Sequence, residues 1–121
     1  MLITRIPHGK VSVIHLAGKF EGGPDRDRLL KLTEKLVRDG CREIVVSFLG
    51  VRFLASNGVG IMIAIKQLVD AAHGRMVLCN LNERAIAVLY VMRLQEIFTI
   101  ETNIRTALKH LKAMRATAAK A

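Results

Sequence analysis

Ser56 is the one hydroxyl in this chain with a chemically suggestive setting, in the run Phe53-Leu54-Ala55-Ser56-Asn57-Gly58-Val59-Gly60. Upstream, Ile44-Val45-Val46 is a short β-branched run that suits a strand covered on both faces; downstream, the apolar positions continue too long for a strand. A helix must begin between them. Serine is a preferred N-cap residue, because its side-chain oxygen can accept from a first-turn amide that has no intrahelical partner. The same free amides, together with the positive end of the helix dipole, suit a phosphate. From the residues alone, two readings stand: a serine that accepts a phosphate and a serine that caps a helix.

Other chemistry finds less support. A serine nucleophile needs a base and an orienting acid within reach. His8, His15, His73 and His110 are scattered, and Leu54 stands where a Gly-x-Ser-x-Gly elbow needs its first glycine. Gly58 and Gly60 form a Gly-x-Gly at a strand-to-helix turn, but Ile63 takes the place of the third glycine of a dinucleotide fingerprint. Close packing of helix on sheet is the expected reason for both glycines. Cys41, Cys79 and His73 lack metal-ligand spacing, and the acids stand beside bases on helix faces or turns instead of in catalytic pairs. No metal, no cofactor and no catalysis are expected.

The elements that must hold Ser56 follow from periodicity. Residues 2–5 and 10–17 read as two strands around the break Pro7-His8-Gly9, and 18–24 as a loop. From Asp25, Leu29, Leu32, Leu36 and Val37 fall at helical spacing, with Pro24 before and Gly40 after. A strand at 43–48, a helix at 56–72, a strand at 75–80, a helix at 83–92, a brief strand at 97–100 and a helix at 103–115 complete the order β-β-α-β-α-β-α-β-α. Such alternation predicts an α/β fold: a mostly parallel sheet with an antiparallel first strand and right-handed crossover helices. The central helix is apolar on more than one stripe, which predicts burial on most sides or exposure to a partner.

With 121 residues, one domain over 1–115 is expected, followed by a frayed basic tail at 116–121. Residues are 51% hydrophobic but only 4% aromatic, so aliphatic side chains must fill the core. The net charge of +9 raises nucleic acid as a partner, yet bases mostly alternate with acids, and only the stretch after Glu101 is purely basic. A solvated basic face is the reading there, with no direct nucleic-acid contact. The longest uncharged apolar stretch, 53–65, falls well short of the roughly 18 residues a membrane span needs. Unpaired cysteines and no secretory pattern at the amino terminus point to reduced thiols in a cytoplasm.

These elements, with four local sequences, resemble a STAS domain. The sequences are the turn at Leu16-Ala17-Gly18-Lys19-Phe20, the approach Val51-Arg52-Phe53-Leu54, the corner Ser56-Asn57-Gly58-Val59-Gly60, and Gly74 ahead of the strand end Leu78-Cys79-Asn80-Leu81. The resemblance covers about residues 2–111. Single-domain chains of this kind are bacterial anti-sigma factor antagonists and related partner-switching proteins. The corner, usually Asp-Ser-Ser-Gly-Leu-Gly in the family, is its most specific part. The first serine there is phosphorylated by a cognate anti-sigma kinase, and that position is Ser56. This chain departs from the pattern at Ala55 for the aspartate, Asn57 for the second serine, and Ser47 and Leu49 for a strand-end Asp-x-Ser.

The resemblance implies that Ser56 is the phosphoacceptor and that Leu54, Ala55, Asn57, Gly58, Val59 and Met62 form a partner-binding surface with it. The implied partner is an anti-sigma factor or serine kinase, or another protein of a STAS complex; a weak homodimer stays open. Two function classes follow. One is an antagonist whose grip is released by phosphorylation. The other is a STAS scaffold or ligand-sensing subunit, serving a stress-signalling complex or a lipid transporter, in which the serine is unused and the apolar helix makes a constitutive contact. Ala55 favours the second class.

Overall fold

Runs of β-branched residues, and helical stripes punctuated by Pro, Gly and Asn, give the order β1 (Leu2–His8), β2 (Val11–Phe20), α1 (Pro24–Arg38), β3 (Glu43–Leu54), α2 (Ser56–Ala71), β4 (Arg75–Cys79), α3 (Glu83–Val91), β5 (Thr99–Glu101) and α4 (Ile104–Lys120). A 3-10 turn at Leu94–Glu96 links α3 to β5. The computed structural model describes residues 1–20 and 23–120, residues 20 and 118–120 by backbone alone. The sheet has the order β1-β2-β3-β4-β5, with β1 antiparallel to β2 and every other pair parallel. This is the α/β architecture expected from the alternation of periods.

Two apolar layers cover the two faces. Ile14, Ile44, Val46 and Leu78 pack on one side with Leu29 and Leu36 of α1, Val59, Met62 and Ile65 of α2, and Leu89 of α3. On the other, Val11, Val13, Val45 and Val77 meet Ala107 and Leu111 of α4, the one helix on that side. The helix ends follow their punctuation. Pro24 opens α1, with Asp25 and Asp27 in its first turn and Lys35 and Arg38 in its last, a distribution that suits the helix dipole. α2 ends with His73 in the left-handed region at φ 60° and the Gly74 amide donating to the Val69 carbonyl at 2.8 Å, a Schellman arrangement.

Boundaries differ from expectation in several places: β1 runs through Pro7 to His8, across the expected break, and β5 is Thr99–Glu101 instead of 97–100. β2 continues through Phe20 into the expected loop, of which residues 21 and 22 lie outside the described residues. α4 carries helical backbone through Lys120, across the segment whose composition suggests fraying. Most consequential is β3, which runs six residues past Phe48 to Leu54. It pairs with β4 only over Glu43–Ser47, while its pairing with β2 continues to Leu54 through two register shifts. Those bulges break the two-residue alternation, so the overhang does not read as a strand. They also bring Gly50 against β2, where an added Cβ would sit 2.6 Å from the Ala17 Cβ and 2.9 Å from its Cα.

Because that obstruction includes backbone, it cannot be relieved by a rotamer change. A Gly50→Ala substitution is expected to cost about 1–3 kcal/mol, visible as a lower urea midpoint at unchanged slope. An unchanged midpoint would show that the two strands separate without penalty.

Candidate functional site

The β3 overhang delivers the chain to the start of α2, where five side chains fix the helix in place. Val59, Ile61, Met62, Ile65 and Val69 are all buried, and α2 packs against α1 and β4. The rest of the helix forms the outer face: Ser56, Asn57, Gly60, Gln67, Asp70 and Ala71 are exposed, and Ile63, Ala64, Lys66 and Leu68 half-buried, with Ser56, Gly60, Ile63 and Gln67 in one stripe along it. Residues four apart on a helix are neighbours, so Ser56 and Gly60 sit side by side on this stripe.

Ser56 is not the N-cap. Its backbone is already helical, and Ala55, with extended geometry at φ −79° and ψ 161°, occupies the cap and offers no side-chain acceptor. The first intrahelical bond joins the Val59 amide to the Ala55 carbonyl at 3.1 Å. The amides of Ser56, Asn57 and Gly58 therefore precede the first bonded donor, and no acid lies in the first turn. Among the described residues the exposed Ser56 hydroxyl makes no hydrogen bond.

The remaining residues of the expected surface divide by burial. Ala55 is half-buried and Asn57 exposed, whereas Leu54 is 5% exposed, Val59 0% and Met62 1%, and Gly58 is buried. Leu54, at the end of β3, and Val59 and Met62, which α2 turns inward, belong to the core, so their side chains are not available to a partner. The apolar groups that do face solvent nearby are on the overhang, Leu49 at 77% and Phe53 at 50% exposure. Sequence alternation could not place them, because the bulges shift the register. Gly60 also differs from expectation: an added Cβ there would meet nothing within 4 Å, so helix-to-sheet packing does not require this glycine.

Two asparagines brace the corner: Asn82, and Asn80 of the strand end, to which the sequence assigned no such role. Asn82 caps α3 by accepting from the Ala85 amide at 2.8 Å, while its Nδ2 donates to the Arg52 carbonyl at 3.1 Å and the Val51 carbonyl at 3.4 Å. One side chain thus ties the α3 start to the otherwise unpaired edge of the overhang. Asn80, at φ 58°, donates through Nδ2 to the buried Ser47 hydroxyl at 3.0 Å. Beside it, burial pushes the Cys79 thiol up from its ordinary 9.0 to about 11, against a smaller opposing pull from Ser47. Among the described residues no cluster of His, Cys, Asp or Glu could hold a metal ion, and no helix is long and apolar enough to cross a membrane.

A five-stranded sheet in this order, with an exposed serine opening the central helix, defines a STAS fold, and the chain belongs to that family: the STAS domain model matches residues 7–107. The anti-sigma F factor antagonist of Paenibacillus polymyxa is 25% identical over 107 residues, covering 88% of this chain and 92% of that protein. An anti-sigma factor antagonist from Mycobacterium paratuberculosis superposes with a TM-score of 0.79 at 19% identity, over 92% of this chain and 93% of its own. The Bacillus cell fate determinant SpoIIAA in its phosphorylated form gives 0.70 at 18% identity, over 91% and 99%. At such identities the structural likenesses show the fold.

Two outcomes follow from this geometry. Restoring an acceptor with Ala55→Asp is expected to add about 1 kcal/mol, a rise of roughly 3–5 °C in thermal midpoint; no rise would mean that the first-turn amides already have acceptors. For Cys79, the thiol is neutral in both states below about pH 9 and adds no pH dependence there. Between about pH 9 and about pH 11 the unfolded chain loses the proton that the folded chain keeps, so stability falls as pH rises. Urea melts across that window should show a shallower fall for Cys79→Ala than for the parent.

Proposed function

We propose that this chain is an anti-sigma factor antagonist, a non-catalytic docking protein of bacterial partner switching, whose grip is released when a serine kinase phosphorylates Ser56. The observation that carries the reading is the Ser56 hydroxyl, exposed and without a protein partner among the described residues at a helix start whose first amides have no acceptor. The Paenibacillus relative supports the assignment of the function class.

The docking face is the exposed stripe of α2 with its flanks. From Ser56 it passes Gly60, where the missing side chain leaves the helix backbone bare, to Ile63 and Gln67. There a shallow groove includes Ile97, 47% exposed, from the turn before β5. Phe53, three residues ahead of Ser56, adds an exposed ring. Phosphorylation would bring roughly −1.5 to −2 charges to the head of this stripe. The free amides and the dipole favour that charge by about 0.3–1 kcal/mol within the domain. A partner packed on the uncharged stripe has to desolvate it, and losing complementarity at a central contact costs about 2 kcal/mol or more. The same phosphate is thus welcome in the free protein and unwelcome in the complex.

Ala55 supports a second reading, a constitutive STAS scaffold, since the acid usual beside the phosphoacceptor is missing. Incubation with the cognate kinase and ATP, followed by mass spectrometry, is expected to place one phosphate on Ser56; none, or one elsewhere, rejects the switch. In pull-downs Ser56→Ala should bind the partner as the parent does. Ser56→Asp should bind at least tens-fold more weakly while keeping a thermal midpoint no lower than the parent's. Equal binding by both variants would establish the scaffold.

A further inference from the structure

At the opposite end of the sheet, between the β1–β2 turn and α4, lies a cavity of about 740 Å³. Val11, Ile104 and Leu108 give it an apolar floor, while Lys10, Arg105, Lys109 and Lys112 stand exposed around it, and no acid lines it. Arg115, also at the rim, is engaged: its Nε lies 3.3 Å from Oε2 of the buried Glu43, which Arg75 approaches at 3.8 Å. The other four cations make no ion pair or hydrogen bond among the described residues. On α1 and α2 the chain pairs helical charges three or four apart, as in Arg28 with Asp25, Lys35 with Asp39 and Lys66 with Asp70. On α4 the same spacings, Arg105 to Lys109 and Lys109 to Lys112, set like charges together, which destabilises a helix.

We propose that this cavity binds a small amphipathic anion, a phosphate or carboxylate head on an aliphatic body. The head neutralises the unpaired cations and relieves their repulsion along α4, while the body lies on Val11, Ile104 and Leu108. The volume falls in the range of about 300–1,000 Å³ found for small-molecule sites, and a concave floor suits a single molecule better than a flat bilayer. Single-stranded nucleic acid is a poorer match, because its bases need aromatic platforms and no Phe or Tyr lines the cavity. A second copy of this chain, with net charge +9, brings more of the same sign. The site is separate from Ser56: the cavity is lined by Val11, which pairs with Glu43 at the start of β3, and the twelve residues of β3, at about 3.3 Å each, span most of the distance to α2.

Isothermal titration of the full chain with decyl phosphate below its micelle threshold tests this, with inorganic phosphate and decanol as the two half-ligands. Saturable binding of one molecule per chain is expected, about tenfold or more tighter than either half-ligand. The double variant Lys109→Gln/Lys112→Gln should bind decyl phosphate about tenfold or more weakly, with a ligand-free thermal midpoint equal to or above the parent's because the repulsion is gone. Equal affinity for decyl phosphate and inorganic phosphate, or binding unaffected by the double variant, overturns the proposal. So does tighter binding of a poly-glutamate peptide or a single-stranded DNA oligomer, which would assign the basic rim to a macromolecule.

Discussion

Everything at the Ser56 corner depends on the immobilisation of α2. Five buried aliphatic and thioether side chains clamp the helix between sheet and α1, and their number explains why its sequence is apolar on more than one stripe. A helix held that firmly cannot retreat into the core or unwind cheaply to satisfy its first amides, since each buried side chain of this size is worth roughly 1.5–3 kcal/mol. The first turn therefore remains where packing puts it, with its donors directed outward. The polarity of the corner is a by-product of an apolar constraint several residues further along.

The cap position determines how that polarity can be used. An aspartate at position 55 would accept from the first-turn amides and place a fixed negative charge beside any phosphate on the next residue. Alanine does neither, so the amides stay available and no carboxylate repels the incoming group. The price is a helix start less stable than it could be, an arrangement typical of positions where function and stability pull apart. Ala55 therefore has two consequences of opposite sense: it removes an acid a kinase could read, and it would make a phosphate on Ser56 the anion best placed to cap α2.

The element order and the covered faces were legible because they rest on periodicity over eight or more residues. Ile44-Val45-Val46 is buried on both faces, and Leu29 and Leu36 do face the core. The details of the corner were not legible, for local reasons. The bulges between β2 and β3 erase alternation after Phe48, which hid the overhang and with it Leu49 and Phe53. Leu54, Val59 and Met62 look like contact residues because they flank Ser56 in sequence, yet Leu54 ends β3 facing the core, and Val59 and Met62, about 60° and 120° round the helix from Ser56, fall on the side that packing turns inward. Asn82 and Asn103 were signals of a readable kind: each precedes a helix and accepts from the amide three residues on, at 2.8 and 2.9 Å. The cavity beside α4 needed coordinates, since it joins Lys10 to residues about a hundred positions away.

The rigidity that presents Ser56 also limits how a modification there can act. Among the described residues the first-turn amides and the hydroxyl have no partner, so adding a phosphate breaks no interaction there. A change that displaces nothing gives the fold no reason to move, and a ligand shifts a conformational equilibrium only by its differential interaction with two states. Under the proposed switch, discrimination between modified and unmodified forms would reside in the complex, in the cost of covering a charged corner instead of a neutral one. The burden of specificity would then fall on the partner's surface, which would have to approach α2 closely enough, along the bare backbone at Gly60, that no water remains to screen the phosphate.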